Sequence, residues 1–206
     1  GGISGFFVRT DTPGFSVPSV IPIMGHLGAD TGIVHLDQLR VPDRQRLGPL
    51  HNGLSVAMDG VNAGRLSMAG SFVGLARWAL NEALGYVWFW MSFGRLIAEH
   101  QAVQIMLAEC AMDIYAVKSM LRHCAWLIDE GRSATKEVSM AKACATEMVS
   151  RVVDKAIQVH GAIGLTNELR LEEAYRWARV LRIPDGTAEI QRRTIARRLL
   201  SGDTEI

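Results

Sequence analysis

The period of the apolar residues changes near residue 50, and that change restricts the chain to a strand-bearing start followed by a large helical body. From Asn52 onward, Leu54, Met58, Val61, Met68, Phe72 and Leu75 begin one long stripe, and Val103, Met106, Leu107, Cys110, Ile114 and Val117 make a second at i, i+3, i+4 spacing. Gly131-Arg132-Ser133 ends that helix; residues 134–159 read as a third, with Met140, Ala143, Cys144, Met148 and Val152 inward. Residues 161–164 read as a glycine turn, 169–180 as a shorter helix and 187–200 as the last. Long helices joined by short turns pack as an antiparallel bundle. Before residue 50, residues 5–9 and 31–36 have strand composition, separated by Pro13-Gly14 and the 18–22 proline segment. Two or three such strands do not make a stable sheet alone, so they read as the edge of a larger β domain. The fold class is therefore mainly α: an antiparallel four-helix bundle preceded by a remnant of a β domain. With Gly48-Pro49 as the break, residues 1–48 are expected to be a partial middle β domain and residues 49–206 a helical domain.

Composition narrows the partners. Lys plus Arg is 22 against 21 for Asp plus Glu, a balance that gives no electrostatic reason to bind nucleic acid or an anionic membrane. Cys110, Cys124 and Cys144 contain no Cys-x-x-Cys pair, and each lies in an apolar helical stretch, which suggests buried thiols in a reducing compartment. No apolar run reaches the roughly 20 residues of a membrane-spanning helix. The start has no initiator Met and no leader signature, and reads as a chain beginning inside a domain. A location in a bacterial-type cytoplasm or a mitochondrial matrix is expected, and secretion is not. His100, His123 and His160 are far apart without acidic companions at ligand spacing, so no metal site is expected.

Periodicity names no chemistry; particular motifs do. Gln158-Val159-His160-Gly161-Ala162-Ile163-Gly164, Tyr175-Arg176-Trp177-Ala178-Arg179, and Asp185-Gly186-Thr187-Ala188-Glu189-Ile190-Gln191 occur in that order, with Ile195-Ala196-Arg197 behind them. Upstream stand Phe93-Gly94-Arg95-Leu96-Ile97-Ala98-Glu99-His100-Gln101, Met24-Gly25 and Leu39-Arg40-Val41-Pro42. In order and spacing this set resembles the acyl-CoA dehydrogenase family, from the end of its β domain through its C-terminal four-helix domain. The resemblance implies an FAD-dependent α,β-dehydrogenation of an acyl-CoA thioester to the trans-2-enoyl-CoA, as in fatty acid β-oxidation. It also implies an electron-transfer flavoprotein as electron sink and a homotetramer built as a dimer of dimers with FAD at a subunit interface. The residues upstream that cradle the flavin ring in that family fall outside this chain, so these 206 residues alone are expected to be inactive.

By the same resemblance Asp185 stands where many members carry the catalytic Glu. The reaction needs a carboxylate that removes the α-proton while hydride leaves the β-carbon. On turn chemistry alone, Pro184-Asp185-Gly186-Thr187 also reads as an ordinary turn with Thr187 as N-cap. A second lineage places its base one residue before an Arg matching Arg65; that position here is Gly64, which has no side chain to act. Arg65, Asn62 and Gly186 are implied substrate contacts. Ser92, Phe93, Gln101, Gln158, Gly161, Thr187 and Glu189 are implied FAD contacts, with Glu189 equally readable as a first-turn acid on the helix dipole.

Two departures stand out. Trp90 occupies the place of an Arg that pairs with FAD phosphate, and a missing bidentate cation weakens cofactor binding. Leu27 stands where an Arg is common. Arg192, Arg193, Arg197 and Arg198 cluster on the last helix, readable as a solvated face. The alternatives kept are another flavin oxidoreductase on the same fold, an acyl-CoA oxidase or a monooxygenase, and a non-catalytic nucleic-acid-binding or subunit-interaction member.

Overall fold

The computed structural model describes residues 2–25 and 28–205; Leu27 lies outside the described residues. The chain divides into two compact units, residues 1–63 and 64–206, with the long helix α1 (Gly53–Tyr86) running through the division.

The first unit holds β1 (Gly5–Phe6), β2 (Phe15–Ile21), β3 (Thr31–Leu36) and β4 (Arg46–Leu47). β2 and β3 form an antiparallel hairpin, and β1 pairs with β4, giving two separate two-stranded sheets among the described residues. The segment read from sequence as a proline spacer is in part a strand, because β2 runs through Pro18. Proline has no N–H to give a ladder, and the register accordingly shifts between Ser16 and Ser19, so that Pro18 sits at the irregularity. Every residue of β3 is exposed, as is all of β2 after Phe15, including Val17, Val20, Ile33 and Leu36. One face of such strands normally lies against a core.

The second unit is helical. After α1 comes a short hairpin, β5 (Met91–Ser92) and β6 (Arg95–Leu96), then α2 (Gln101–Asp129), α3 (Thr135–His160), α4 (Leu171–Val180) and α5 (Ala188–Leu200). Residues 161–165 form a 3-10 turn. α3 is the central helix and packs against α2, α4 and α5. Its alanines let those neighbours approach closely: Ala141, Ala145, Met148, Val149, Val152 and Val153 are fully buried. In the second unit the buried face of α1 runs from Arg65 through Ala69, Phe72, Val73, Ala76, Ala79 and Ala83, whereas Leu54 and Met58 of the expected stripe are exposed.

Cys110 and Cys124 are buried as expected, and burial pushes the Cys124 thiol up to about 11. Cys144 is exposed, against expectation. It shares a face with Glu147, Arg151 and Asp154 at helical spacing, and the phase of those charges, not the neighbouring alanines, sets which side of α3 meets water. Trp88, Phe89, Trp90, Met91 and Phe93 are all exposed around the β5–β6 hairpin. Among the described residues no helix is long and apolar enough to cross a membrane.

Candidate functional site

Two places in the second unit gather the residues singled out from sequence. The first is the loop between α4 and α5. α4 ends at Val180, and Asp185 and Gly186 follow with successive left-handed backbones, φ 54° and 94°. Asp tolerates that region better than most side chains, and Gly adopts it freely. Thr187 then caps α5, its hydroxyl accepting from the Ile190 N–H at 3.4 Å.

This pair of left-handed residues turns three successive carbonyls inward, and each meets a buried donor. Arg65 Nε donates to the Asp185 carbonyl at 2.8 Å. Lys142 Nζ donates to the Pro184 and Gly186 carbonyls at 2.8 and 2.5 Å. Gln191 Nε2 donates to the Asp185 and Gly186 carbonyls, both at 3.1 Å. Arg65, Lys142 and Gln191 are themselves buried. Buried donors are normally paired, and here the loop carbonyls accept from all three side chains, while Gln191 Oε1 has no protein partner among the described residues. Arg65 is therefore not a solvated helix arginine.

With its backbone facing inward, Asp185 presents a half-buried carboxylate toward α1 at Gly64. A Cβ built on Gly64 would lie 3.3 Å from Asp185 Oδ2, so the bare glycine leaves the room the carboxylate uses. The two sequence positions considered for a base thus converge on one point in space, and only Asp185 has a side chain there. Burial lowers the pKa of both Arg65 and Lys142, and the Asp185 charge opposes that shift in each. Two buried cations flank a single carboxylate.

Gly186 is constrained twice over. Its φ of 94° strains any L side chain, and a Cβ there would fall 2.9 Å from Gln191 Nε2, 3.2 Å from Ile190 Cγ2 and 3.3 Å from Arg65 Nη2. Gly186→Ala should cost about 1–3 kcal/mol, through strain and the displaced donors. Denaturant unfolding of the variant is expected to show a lower midpoint at unchanged slope; an unchanged midpoint would mean that the turn relaxes without loss.

The second place is the end of the bundle where α1 stops and α2 begins. Ser92 and Arg95 face each other across the β5–β6 hairpin, with Phe93 (φ 52°) and Gly94 (φ 78°) as its turn. His100 Nε2 donates to the Ser92 carbonyl at 3.1 Å, and its Nδ1 accepts from Arg95 Nη2 at 3.2 Å. These partners fix one tautomer, since a carbonyl only accepts and a guanidinium only donates. Phe93 packs edge-on to His100 at 6.3 Å and is otherwise open, 96% exposed. Gln101 starts α2 beside them and is exposed.

α3 ends at the same place. Buried His160 bonds the Ala156 carbonyl through Nδ1 at 2.8 Å, and its ring lies 4.4 Å from Tyr86, on which Trp90 stacks at 6.1 Å. Gln158 and Gly161 are exposed on this end, and a Cβ on Gly161 would meet nothing within 4 Å.

The predicted residues therefore fall into two groups. Ser92, Phe93, Gln101, Gln158 and Gly161 gather at the hairpin end, while Asp185, Gly186, Arg65, Thr187 and Glu189 gather at the α4–α5 loop. Sixteen residues of α3 separate Lys142, under the loop, from Gln158, a distance of about 24 Å along the axis. Asn62 lies half-buried on α1 in the first unit. Glu189 is held below the usual carboxylate range by a hydrogen bond from Thr187 and by the start of α5.

An FAD fits the first group by its chemistry: a largely exposed ring whose faces are open, two exposed amides, and an open glycine backbone allowing close approach. Thr187 and Glu189 fit differently, because an acid only accepts and so suits a hydroxyl or ring N–H instead of a phosphate. Lys142 escaped the sequence reading. Its signal was present: it sits four residues after Val138 and before Thr146, on the buried stripe of α3.

The profile described as acyl-CoA dehydrogenase, C-terminal domain, matches residues 51–200. A probable acyl-CoA dehydrogenase of Bacillus subtilis, YngJ, is 40% identical over 198 residues, 96% of this chain and 52% of that protein. Subunit CarC of the caffeyl-CoA reductase-Etf complex of Acetobacterium woodii is 37% identical over 199 residues, 97% of this chain and 52% of that protein. The structure of butyryl-CoA dehydrogenase from Megasphaera elsdenii superposes with a TM-score of 0.93 at 29% identity, covering 97% of this chain and 52% of that one. The chain spans about half the length of the relatives it matches.

Proposed function

Because this chain belongs to the acyl-CoA dehydrogenase family, we propose that it is the C-terminal part of an FAD-dependent enzyme that converts an acyl-CoA thioester to its trans-2-enoyl-CoA, with Asp185 as the base. The observation that carries this reading is the aim of the Asp185 carboxylate, held by buried donors over the bare Gly64 backbone. A base must be both basic and fixed, and a loop clamped at three carbonyls is fixed.

Asp185 takes the α-proton onto its carboxylate. FAD, when bound, supplies the acceptor for the hydride that leaves the β-carbon. Arg65 holds the Asp185 backbone, and Gly186 lies on the acyl-thioester side. Ser92, Phe93, Gln101, Gln158 and Gly161 hold the cofactor. Their distance from Thr187 and Glu189 supports a cofactor shared between two copies, each contributing one group, in a dimer of dimers. An electron-transfer flavoprotein then receives the electrons; the likeness to an Etf-complex subunit supports that partner.

The same likeness is to a reductase, which favours a second reading in which the reaction runs from enoyl to acyl thioester. Anaerobic addition of saturated acyl-CoA to the complete FAD-loaded protein tests both. Bleaching of the oxidised flavin with equimolar trans-2-enoyl-CoA is expected. No bleaching across a chain-length series, together with reoxidation of chemically reduced enzyme by an acrylyl-CoA, would overturn the dehydrogenase reading for the reductase one. Rapid reoxidation by air would point to an oxidase.

A further inference from the structure

Lys142 is a full-length lysine with no exposed surface, seven residues into α3 between the buried Ala141 and Ala143. Burying an ammonium opposes folding unless its hydrogens are fully used, and an apolar side chain of equal length avoids that penalty. Two of the three ammonium hydrogens of Lys142 go to the carbonyls immediately before and immediately after Asp185. Gln191, also without exposed surface, reaches back from α5 to the Asp185 and Gly186 carbonyls. Two consecutive left-handed residues do not hold themselves; such backbones persist only where surrounding contacts over-determine them. Here the contacts come from three elements: Arg65 on α1, Lys142 on α3 and Gln191 on α5.

Resting on the reading of Asp185 as the base, we propose that Lys142 and Gln191 are positioning residues that hold the Asp185 loop with its carbonyls inward, and so aim the carboxylate over Gly64. The pair acts through the backbone, on each side of the base. Lys142 also adds a second buried cation beside Arg65, near the one carboxylate, so its loss changes both the geometry and the field at that group.

The limiting rate of flavin reduction by saturating acyl-CoA, measured by stopped flow on the complete FAD-loaded protein, reads the effect. Lys142→Met is expected to lower that rate at least about tenfold, as small misplacements of a catalytic group do. The half-saturating acyl-CoA concentration and FAD affinity should stay within about twofold, because neither ligand is held by Lys142. Lys142→Arg should recover part of the rate, since it again donates to both carbonyls. In an Asp185→Asn background Lys142→Met should bring no further loss, because residues acting through one group are non-additive. Gln191→Met carries the same comparison without a charge change, should Lys142→Met fail to load FAD. An equal loss in both backgrounds, or an unchanged rate in the single variants, overturns the positioning role while leaving the base in place. A native rate in Asp185→Asn alone instead removes the base assignment, and the positioning role with it.

Discussion

Asp185→Asn, in the complete FAD-loaded protein, is expected to slow flavin reduction by acyl-CoA about a thousandfold, within the range that loss of a general base produces. Asn keeps the shape of the side chain and is as much at home as Asp at a φ of 54°, so the loop should survive the change. The hydrogen bonds that clamp the loop run to backbone carbonyls and survive the change, while the lost charge removes what offsets the burial of Arg65 and Lys142, a cost to be read in stability. FAD and acyl-CoA affinities are therefore expected to stay near those of the parent, with the loss confined to the limiting rate. Asp185→Glu should retain measurable activity, although Glu fits a left-handed backbone less well and reaches one methylene further over Gly64. A similar bleaching rate in parent and Asn variant would mean that another group takes the proton.

Trp90→Arg is expected to tighten FAD binding about 10- to 100-fold, the equivalent of roughly 1.5–3 kcal/mol for a hydrogen bond to a charged group. Trp90 is half exposed, and its backbone bonds, to the Tyr86 carbonyl and from the Ile97 N–H, do not involve the indole. A guanidinium also stacks on tyrosine, so the Tyr86 contact has a replacement and the hairpin end should keep its form. The gain should shrink as salt is raised, because it comes from a charge facing a phosphate. Trp90→Gln, with a donor but no charge, should gain much less. Equal FAD dissociation constants for Trp90→Arg and the parent, at low salt, would show that the site has rebuilt itself around the aromatic ring.

Much of the fold was legible because helices advertise themselves through a 3.6-residue period. The breaks at Gly131-Arg132-Ser133 and at Gly161 fall where α2 and α3 end. What the period handled badly were positions where packing, not pattern, decides. Val17 and Val20 flank a proline that looked like a spacer, yet they belong to β2 because the ladder steps around Pro18. Cys144 looked apolar among alanines, and only the outward phase of Glu147, Arg151 and Asp154 places it at the surface.

The candidate site divides in the same way. Asp185, Gly186 and Thr187 are adjacent in the chain, and their turn and cap follow from local rules: Gly for a positive φ, Thr for an N-cap. The motifs around them, read by resemblance, were enough to place the chain in its family. That Gly64 lies under a carboxylate 121 residues away could not be read locally, nor that a lysine in mid-helix donates to carbonyls flanking that carboxylate. Local structure depends on backbone preferences and side-chain period, which each residue carries with it. Contacts between α1, α3 and the α4–α5 loop depend on how the helices stack, and that is settled by the whole core at once. So the sequence by itself determined the helices, the turn chemistry and the family. Only the tertiary structure decided which buried donors meet the Asp185 loop, because a hydrogen bond's partner is chosen by distance in space and not along the chain.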